Sequence, residues 1–187
     1  MDESPTQSGV PPEHPARDWL ALDDAALLAG CEVHTYRASG PGGQHRNKTY
    51  SAIRLHHKPT GISAQGEESR SQHENKHHAL QRLRMQIALH VRRPVDPQGE
   101  PAELVAGCIH GRGGPSARLN VGRKDARFWA VTQIVLDALV AFEGRLADAA
   151  GYLGVTSSNL VAHFRKDRHL FAAVQQIRKQ FGHSPLK

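Results

Sequence analysis

Cysteine and aromatic residues are scarce in this chain, and no apolar run approaches the length of a membrane span. The 187 residues include two cysteines, Cys31 and Cys108, and only 5% aromatic residues. Two cysteines cannot build a disulfide framework, and neither a secretory apolar segment nor a membrane-length run is present. The composition therefore predicts a cytoplasmic protein with reduced thiols and no membrane partner.

Positive charge is scarce in the first 30 residues, although the chain as a whole is basic. Lys and Arg number 24 against 18 Asp and Glu, which gives a net charge of +6. Residues 1–30 hold six acidic side chains and one basic one, so the remainder carries +11. A basic body of this kind suits a polyanionic partner, nucleic acid above all, while a solvated basic surface stays open as the alternative.

The most informative stretch is residues 37–49, which read Arg-Ala-Ser-Gly-Pro-Gly-Gly-Gln-His-Arg-Asn-Lys-Thr. Gly40, Gly42 and Gly43 surround Pro41, and paired glycines allow a surface to approach the main chain closely. The residues that follow are polar or basic, with nothing apolar to bury. This pattern predicts an exposed loop that inserts into a partner.

The residue order of this loop resembles the GGQ loop of class I peptide-chain release factors and of the related peptidyl-tRNA hydrolases that rescue stalled ribosomes. The resemblance continues through Thr60-Gly61-Ile62 and through residues 69–76, Ser-Arg-Ser-Gln-His-Glu-Asn-Lys, within one block from Cys31 to Arg93. Two positions depart from the family pattern: Arg46 stands where an apolar residue is common, and Pro41 is more typical of the rescue enzymes than of decoding factors.

The resemblance implies hydrolysis of the ester between a peptide and the terminal ribose of tRNA. The catalytic residues would be Gly42, Gly43 and Gln44, with the Gln44 main-chain N–H stabilising the developing negative charge and its side chain shaping the water pocket. The ribosomal peptidyl-transferase centre, ribosomal RNA and peptidyl-tRNA are the implied partners, and no cofactor is needed. Whether a methyltransferase modifies Gln44 stays open, so such an enzyme is a candidate partner.

Basic and polar side chains near the loop are candidates for contacts to RNA phosphates, which need charge more than exact geometry. Two further candidates lie near the C-terminus. The predicted RNA-binding residues are Arg37, Ser39, Arg46, Asn47, Lys48, Arg70, Lys76, Arg165 and Lys166.

Hydrophobic periodicity predicts an α+β fold, a small β-sheet with one packed long helix, followed by an all-α helix-turn-helix-like module. The strands are expected at 31–37, 50–57 and 62–65, the helices near 23–28, 71–91, 125–142 and 170–181, and a helix-turn-helix at 146–161. The helix at 125–142 is expected to have one apolar face. Asp23 is a candidate cap of the first helix, Gly154 lies in the expected tight turn, and Thr156 or Ser157 would cap the helix that follows it. The domain boundaries that we expect are a disordered leader at 1–16, a GGQ domain at 17–93, a linker at 94–124 and the helical module at 125–187.

Too few residues flank the GGQ block to hold stop-codon-reading domains, so the sequence predicts codon-independent release from stalled ribosomes or free large subunits. The tail after Phe181 is too short to enter an mRNA channel, so the helical module is expected to replace it as the docking element. The alternative is a non-enzymatic RNA- or DNA-binding protein with a helix-turn-helix module and a vestigial GGQ loop.

His73 and His77 match the H-E-x-x-H pattern of zinc metalloproteases, with two imidazoles one turn apart. A zinc site needs a third ligand, for which His90 or His110 can only be guessed. The same residues belong to the run that resembles the release factors, so we predict no metal site.

Overall fold

The computed structural model describes residues 18–37, 50–111, 113–114 and 116–186. The expected leader at 1–16 lies outside these residues. The described part is α+β, with a small antiparallel sheet and several helices.

The first elements are a short helix and a three-stranded sheet. Helix α1 (Asp24–Ala29) begins after Asp23, whose side chain accepts a hydrogen bond from the Ala26 N–H at 2.7 Å, as the sequence predicts. The antiparallel sheet has the order β1-β2-β3, and the strands lie close to the predicted ranges. They are β1 (Cys31–Tyr36), β2 (Ala52–His57) and β3 (Ile62–Gly66).

The long helix α2 (Gln72–His90) packs against β2 and β3. Ser71 caps its first turn by accepting a hydrogen bond from the Glu74 N–H at 3.3 Å. Arg84 ties the segment around α1 to this helix, since it donates to the Leu22 carbonyl oxygen and pairs with Asp24, each at 2.8 Å. The bounds of α2 confirm the long helix that the sequence predicts near 71–91.

The segment 94–124 differs from the expected linker. It contains α3 (Glu103–Ala106) and a two-stranded ribbon of β4 (Ile109–His110) and β5 (Arg118–Leu119). Its apolar side chains join the hydrophobic core, because Val105, Cys108 and Leu119 are buried. Glycines and prolines keep the regular elements of this segment short, but the segment still packs against the core.

Helix α4 (Phe128–Ala141) is buried around its whole circumference from Phe128 to Leu139. The sequence predicts a helix with one apolar face, so this prediction was too narrow. The helix contacts α2, α3, α5 and α7, and a helix surrounded by others buries every side. Its Asp137 accepts hydrogen bonds from Arg92 Nη1 at 3.0 Å and from the Arg93 backbone N–H at 3.2 Å, which fixes α4 to the end of α2.

Three further helices follow within the described residues: α5 (Leu146–Leu153), α6 (Ser157–Phe164) and α7 (Arg168–Gln180). Gly154 ends α5 in the left-handed region, with φ of 70°, so glycine fits the tight turn that the sequence predicts there. Thr156 caps α6 by accepting a hydrogen bond from the Asn159 N–H.

The hydrophobic core is continuous from the sheet through α2 and α4 to α7. The division of the chain at 93 and 125 into separate modules stays a prediction. Of the helices in the described ranges, none has the length and apolar content that a membrane crossing requires.

Candidate active site

The glycine-rich loop joins β1 to β2 at one end of the sheet. Gly42, Gly43 and Gln44, together with Ser39, Arg46, Asn47 and Lys48, lie outside the described residues. Tyr36 pairs with Ala52 in the β1–β2 register, so the loop leaves and re-enters the sheet at neighbouring positions. The structure therefore defines the base on which the predicted catalytic residues are carried.

Arg37 and Tyr50 face each other across this base. The Arg37 guanidinium lies over the Tyr50 ring, 4.4 Å from its centroid, and 52% of Tyr50 is exposed. A cation–π contact at an exposed site contributes about 0.5–1 kcal/mol. The pair holds the two loop ends together, and it leaves one cation and one aromatic ring at the surface beside the loop.

Asn75 fixes the returning end of the loop from inside the protein. Its side chain is fully buried, and its Nδ2 donates to the carbonyl oxygens of Ser51 and Ser69, each at 2.7 Å. Its Oδ1 accepts from the Ser69 N–H at 2.8 Å. One amide thus joins three chain segments: the start of β2, the β3–α2 connection and α2 itself.

Gln72 adds a second link one turn earlier on α2, because its Nε2 donates to the Tyr50 carbonyl oxygen. Gln72 and Asn75 belong to the 69–76 run on which the family resemblance rests. We refer to Gln72 and Asn75 as the loop clamp. The sequence gives no separate sign of either role, because hydrogen bonds that span more than 20 residues leave no local pattern.

An ion pair between the β3–α2 connection and α2 holds this connection in place. Glu68 pairs with Arg82, and Arg82 Nη1 also donates to the Gln65 carbonyl oxygen at 2.6 Å. Burial acts to raise the pKa of Glu68, but hydrogen bonds from Arg82 and from backbone N–H groups outweigh it and lower the pKa to about 2. The carboxylate therefore stays ionised at neutral pH.

Tyr36, the last residue of β1, also contacts this connection. Its hydroxyl donates to Glu67 Oε2 at 3.3 Å, and the Arg54 guanidinium lies 5.3 Å from its ring centroid. Burial and the Glu67 carboxylate raise the pKa of Tyr36, so the phenol stays protonated and continues to donate. Tyr36 thereby ties the end of β1 to the β3–α2 connection.

The described RNA-binding candidates fall into two groups. Arg37 and Arg70 are exposed near the loop base, and Lys76 is half-buried on the first turns of α2. Arg165 and Lys166 lie instead in the α6–α7 connection, and α6 packs against α5, α7 and β5. The structure does not group these two with the loop base.

His73 and His77 are exposed on α2, one turn apart. Among the residues that the structure describes, no group of three His, Cys, Asp or Glu side chains converges in a way that could hold a metal ion.

Comparison with known proteins places these features in one family. Residues 28–104 match the RF-1 domain, a range that runs from the end of α1 to α3 and includes the loop and its clamp. Peptide chain release factor 1 of Erythrobacter litoralis is 39% identical over 139 residues, which cover 72% of this chain and 37% of that protein.

Two other relatives show the same relationship. Peptide chain release factor 1 of Delftia acidovorans is 37% identical over 142 residues, or 74% of this chain and 38% of that protein. Peptide chain release factor 2 of Neorickettsia sennetsu is 55% identical over 68 residues, or 36% of this chain and 18% of that protein. The chain thus spans well under half the length of these relatives.

Proposed function

Because this chain is a class I release factor-like GGQ-domain protein whose RF-1 domain covers residues 28–104, we propose that it hydrolyses peptidyl-tRNA on the ribosome. The observation that carries the proposal is the clamp itself: Gln72 and Asn75 bind α2 to Tyr50 and Ser51, which follow the sequence segment that contains Gly42, Gly43 and Gln44. Reactions that depend on positioning gain from such rigid support.

The proposed reaction needs few protein groups. A water oxygen bonds to the ester carbonyl carbon and the bond from that carbon to the ribose oxygen breaks. One proton of the water passes to the departing ribose oxygen, which leaves a ribose hydroxyl and a peptide with a free carboxyl group. Negative charge develops on the carbonyl oxygen and then on the ribose oxygen. The Gln44 main-chain N–H would donate to that charge, and the flanking glycine leaves its approach unobstructed by a side chain. The peptidyl-transferase centre supplies the surroundings.

We further propose that release does not depend on the codon and that the substrate is a stalled ribosome or a free large subunit. The surface near the loop base supports binding to RNA, since Arg37, Arg70 and the exposed Tyr50 ring lie there. Guanidinium groups contact phosphates, and an exposed ring can stack on an unpaired base.

The test is a single-turnover release assay on purified complexes that carry peptidyl-tRNA. The complexes hold a stop codon, a sense codon or no codon in the decoding site, and isolated large subunits form a fourth set. We expect similar release from all codon states. Release only with a stop codon would refute codon independence, and release from none would favour the non-enzymatic binding protein.

A further inference from the structure

The residues after β5 lie alongside α6 and the start of α7. The Leu119 N–H donates to Asn159 Oδ1 at 2.8 Å, and Lys166 Nζ donates to the Val121 carbonyl oxygen at 2.8 Å. Further along, Arg123 Nε pairs with Asp167 Oδ2 at 2.9 Å. Two segments that are distant in sequence, 118–124 and 165–168, therefore form one surface.

This surface is strongly basic. Its cationic side chains come from both segments, and all of them are exposed. We call them the basic ridge: Arg118, Arg123, Lys124, Arg165, Lys166 and Arg168.

The acidic residues beside the ridge are already engaged. Asp167 pairs with Arg123, and it also caps α7 by accepting hydrogen bonds from the His169 and Leu170 N–H groups. Only 10% of its side chain is exposed, so its charge offers little to solvent. Asp125 pairs with Arg127 at 2.8 Å. The exposed charge of the ridge is therefore positive.

The ridge is arranged for phosphates rather than base edges. A DNA-reading helix-turn-helix uses the first residues of its second helix to contact bases in the major groove. Here that helix is α6, and its Asn159 side chain is bound to the Leu119 N–H while β5 packs against the helix. Cationic side chains are exposed at the end of α6, whereas the Asn159 amide near its start already accepts a hydrogen bond from within the protein.

We propose that the basic ridge binds the phosphate backbone of RNA and docks the protein on ribosomal RNA. The choice of RNA among polyanions rests on the proposed ribosomal function. The ridge adds Arg118, Arg123, Lys124 and Arg168 to the two candidates of the α6–α7 connection, Arg165 and Lys166. Three of these four come from a segment for which the sequence indicates only a linker.

The test uses a triple variant, Arg118→Gln/Lys124→Gln/Arg168→Gln, and a short RNA duplex as the probe. It keeps Arg123 and Lys166, which make contacts inside the protein. Each lost phosphate contact reduces the slope of log K against log salt concentration by about one. We expect the slope to fall by about two to three and the affinity to fall by about tenfold or more.

A matched control removes the same charge elsewhere: Lys58→Gln/Arg145→Gln/Lys179→Gln. These residues are exposed and lie outside the ridge. We expect the control to bind RNA with a near wild-type salt slope. A charge-preserving variant, Arg118→Lys/Lys124→Arg/Arg168→Lys, should retain binding, because phosphate contacts need charge rather than one side-chain shape. Equal circular dichroism spectra and melting temperatures verify folding.

Several outcomes overturn the proposal. One is a ridge variant that binds RNA as tightly as the wild type. Another is an equal loss of RNA binding in the control variant, which would mean that net charge alone explains the effect. Tighter binding to duplex DNA than to duplex RNA points to the DNA-binding alternative. Unchanged RNA binding with lost ribosome cosedimentation assigns the ridge to a ribosomal protein. Gln44→Ala should bind RNA normally, so failure of the hydrolase proposal and failure of the ridge proposal are separately visible.

Discussion

At the scale of single residues, Asn75 shows how the candidate site is held. A buried amide is tolerated only when its donors and acceptor are satisfied, and Asn75 satisfies them on Ser51 and Ser69. The residue lies behind the loop rather than in it. We therefore assign it a positioning role.

We predict that Asn75→Ala lowers the free energy of unfolding by about 2–4 kcal/mol, because three hydrogen bonds are lost and their backbone partners lose the amide. Urea denaturation measures this loss. His77→Ala on the same helix is the control, and its exposed side chain predicts little change. Equal free energies of unfolding for the two variants would contradict the stabilising role of the Asn75 hydrogen bonds.

At this scale the sequence predicted types of residue better than roles. Asp23 was correctly expected to cap a helix, and of the two candidates Thr156 and Ser157 it is Thr156 that caps α6. The loop that the glycines and the polar run around Gln44 predict lies outside the described residues. The role of Asn75 could not be predicted, since Ser51 lies 24 positions away. The internal bond of Lys166 to Val121 was also hidden, because it depends on the path of a segment with little periodicity.

At the scale of elements, β3 and α2 come into unusually close contact at Gly66. A Cβ built at Gly66 would lie 2.0 Å from the Asn75 carbonyl oxygen and 3.0 Å from the Ala79 nitrogen. Both are backbone atoms of the helix, so they cannot move aside as a side chain can. Glycine at this position sets the spacing between the sheet and the helix that carries the loop clamp.

We predict that Gly66→Ala destabilises the protein by about 3 kcal/mol or more, because the added methyl group forces β3 and α2 apart. Gly151→Ala is the matched control, since nothing lies within 4 Å of a Cβ there and the residue is inside α5. Alanine favours a helix over glycine by about 0.8–1 kcal/mol, so this variant should be more stable. Thermal and urea unfolding measure the change in stability of both variants, which should be a loss for Gly66→Ala and a gain for Gly151→Ala. Unchanged stability of Gly66→Ala would contradict the close contact between β3 and α2.

Hydrophobic periodicity in the sequence predicted which segments are helices or strands, but not which of their residues are buried. The sequence predicted α2 nearly to its ends, because its apolar spacing is regular. For α4 the sequence predicted one apolar face, while the structure buries Thr132, Gln133 and Asp137 as well. A polar residue does not mark the solvent-facing side of a helix when neighbouring segments offer it hydrogen-bond partners. Arg92 donates to the Asp137 carboxylate, and Gln133 donates to the Val91 carbonyl oxygen.

At the scale of the whole molecule, the RF-1 domain and the C-terminal helices share one core. The contact between α2 and α4 contains the buried Asp137, whose pKa is raised by burial and partly lowered again by Arg92 and Arg93. Removing residues 125–187 would uncover the apolar side of α2. Point variants are therefore the sounder way to test docking.

We predict that both parts unfold together. Trp19 lies beside His57 of the sheet, with ring centroids 4.9 Å apart, and Trp129 lies on α4 beside Phe128. Trp129→Phe leaves Trp19 as the only tryptophan reporter, and Trp19→Phe leaves Trp129. In each variant, tryptophan fluorescence and far-UV circular dichroism should give the same urea midpoint. Fluorescence midpoints that depart from circular dichroism in opposite directions would instead indicate independently folding modules.

Peptide release by Gln44→Ala decides whether residue 44 acts in hydrolysis. Gln98→Ala is the control, because it makes the same side-chain change at an exposed residue of the segment after α2. Stalled complexes with labelled peptidyl-tRNA are mixed with excess protein, and released peptide and cosedimenting protein are measured together. We predict normal release by the wild type and Gln98→Ala, and loss of release by Gln44→Ala with ribosome binding intact. Full release by Gln44→Ala would contradict this prediction.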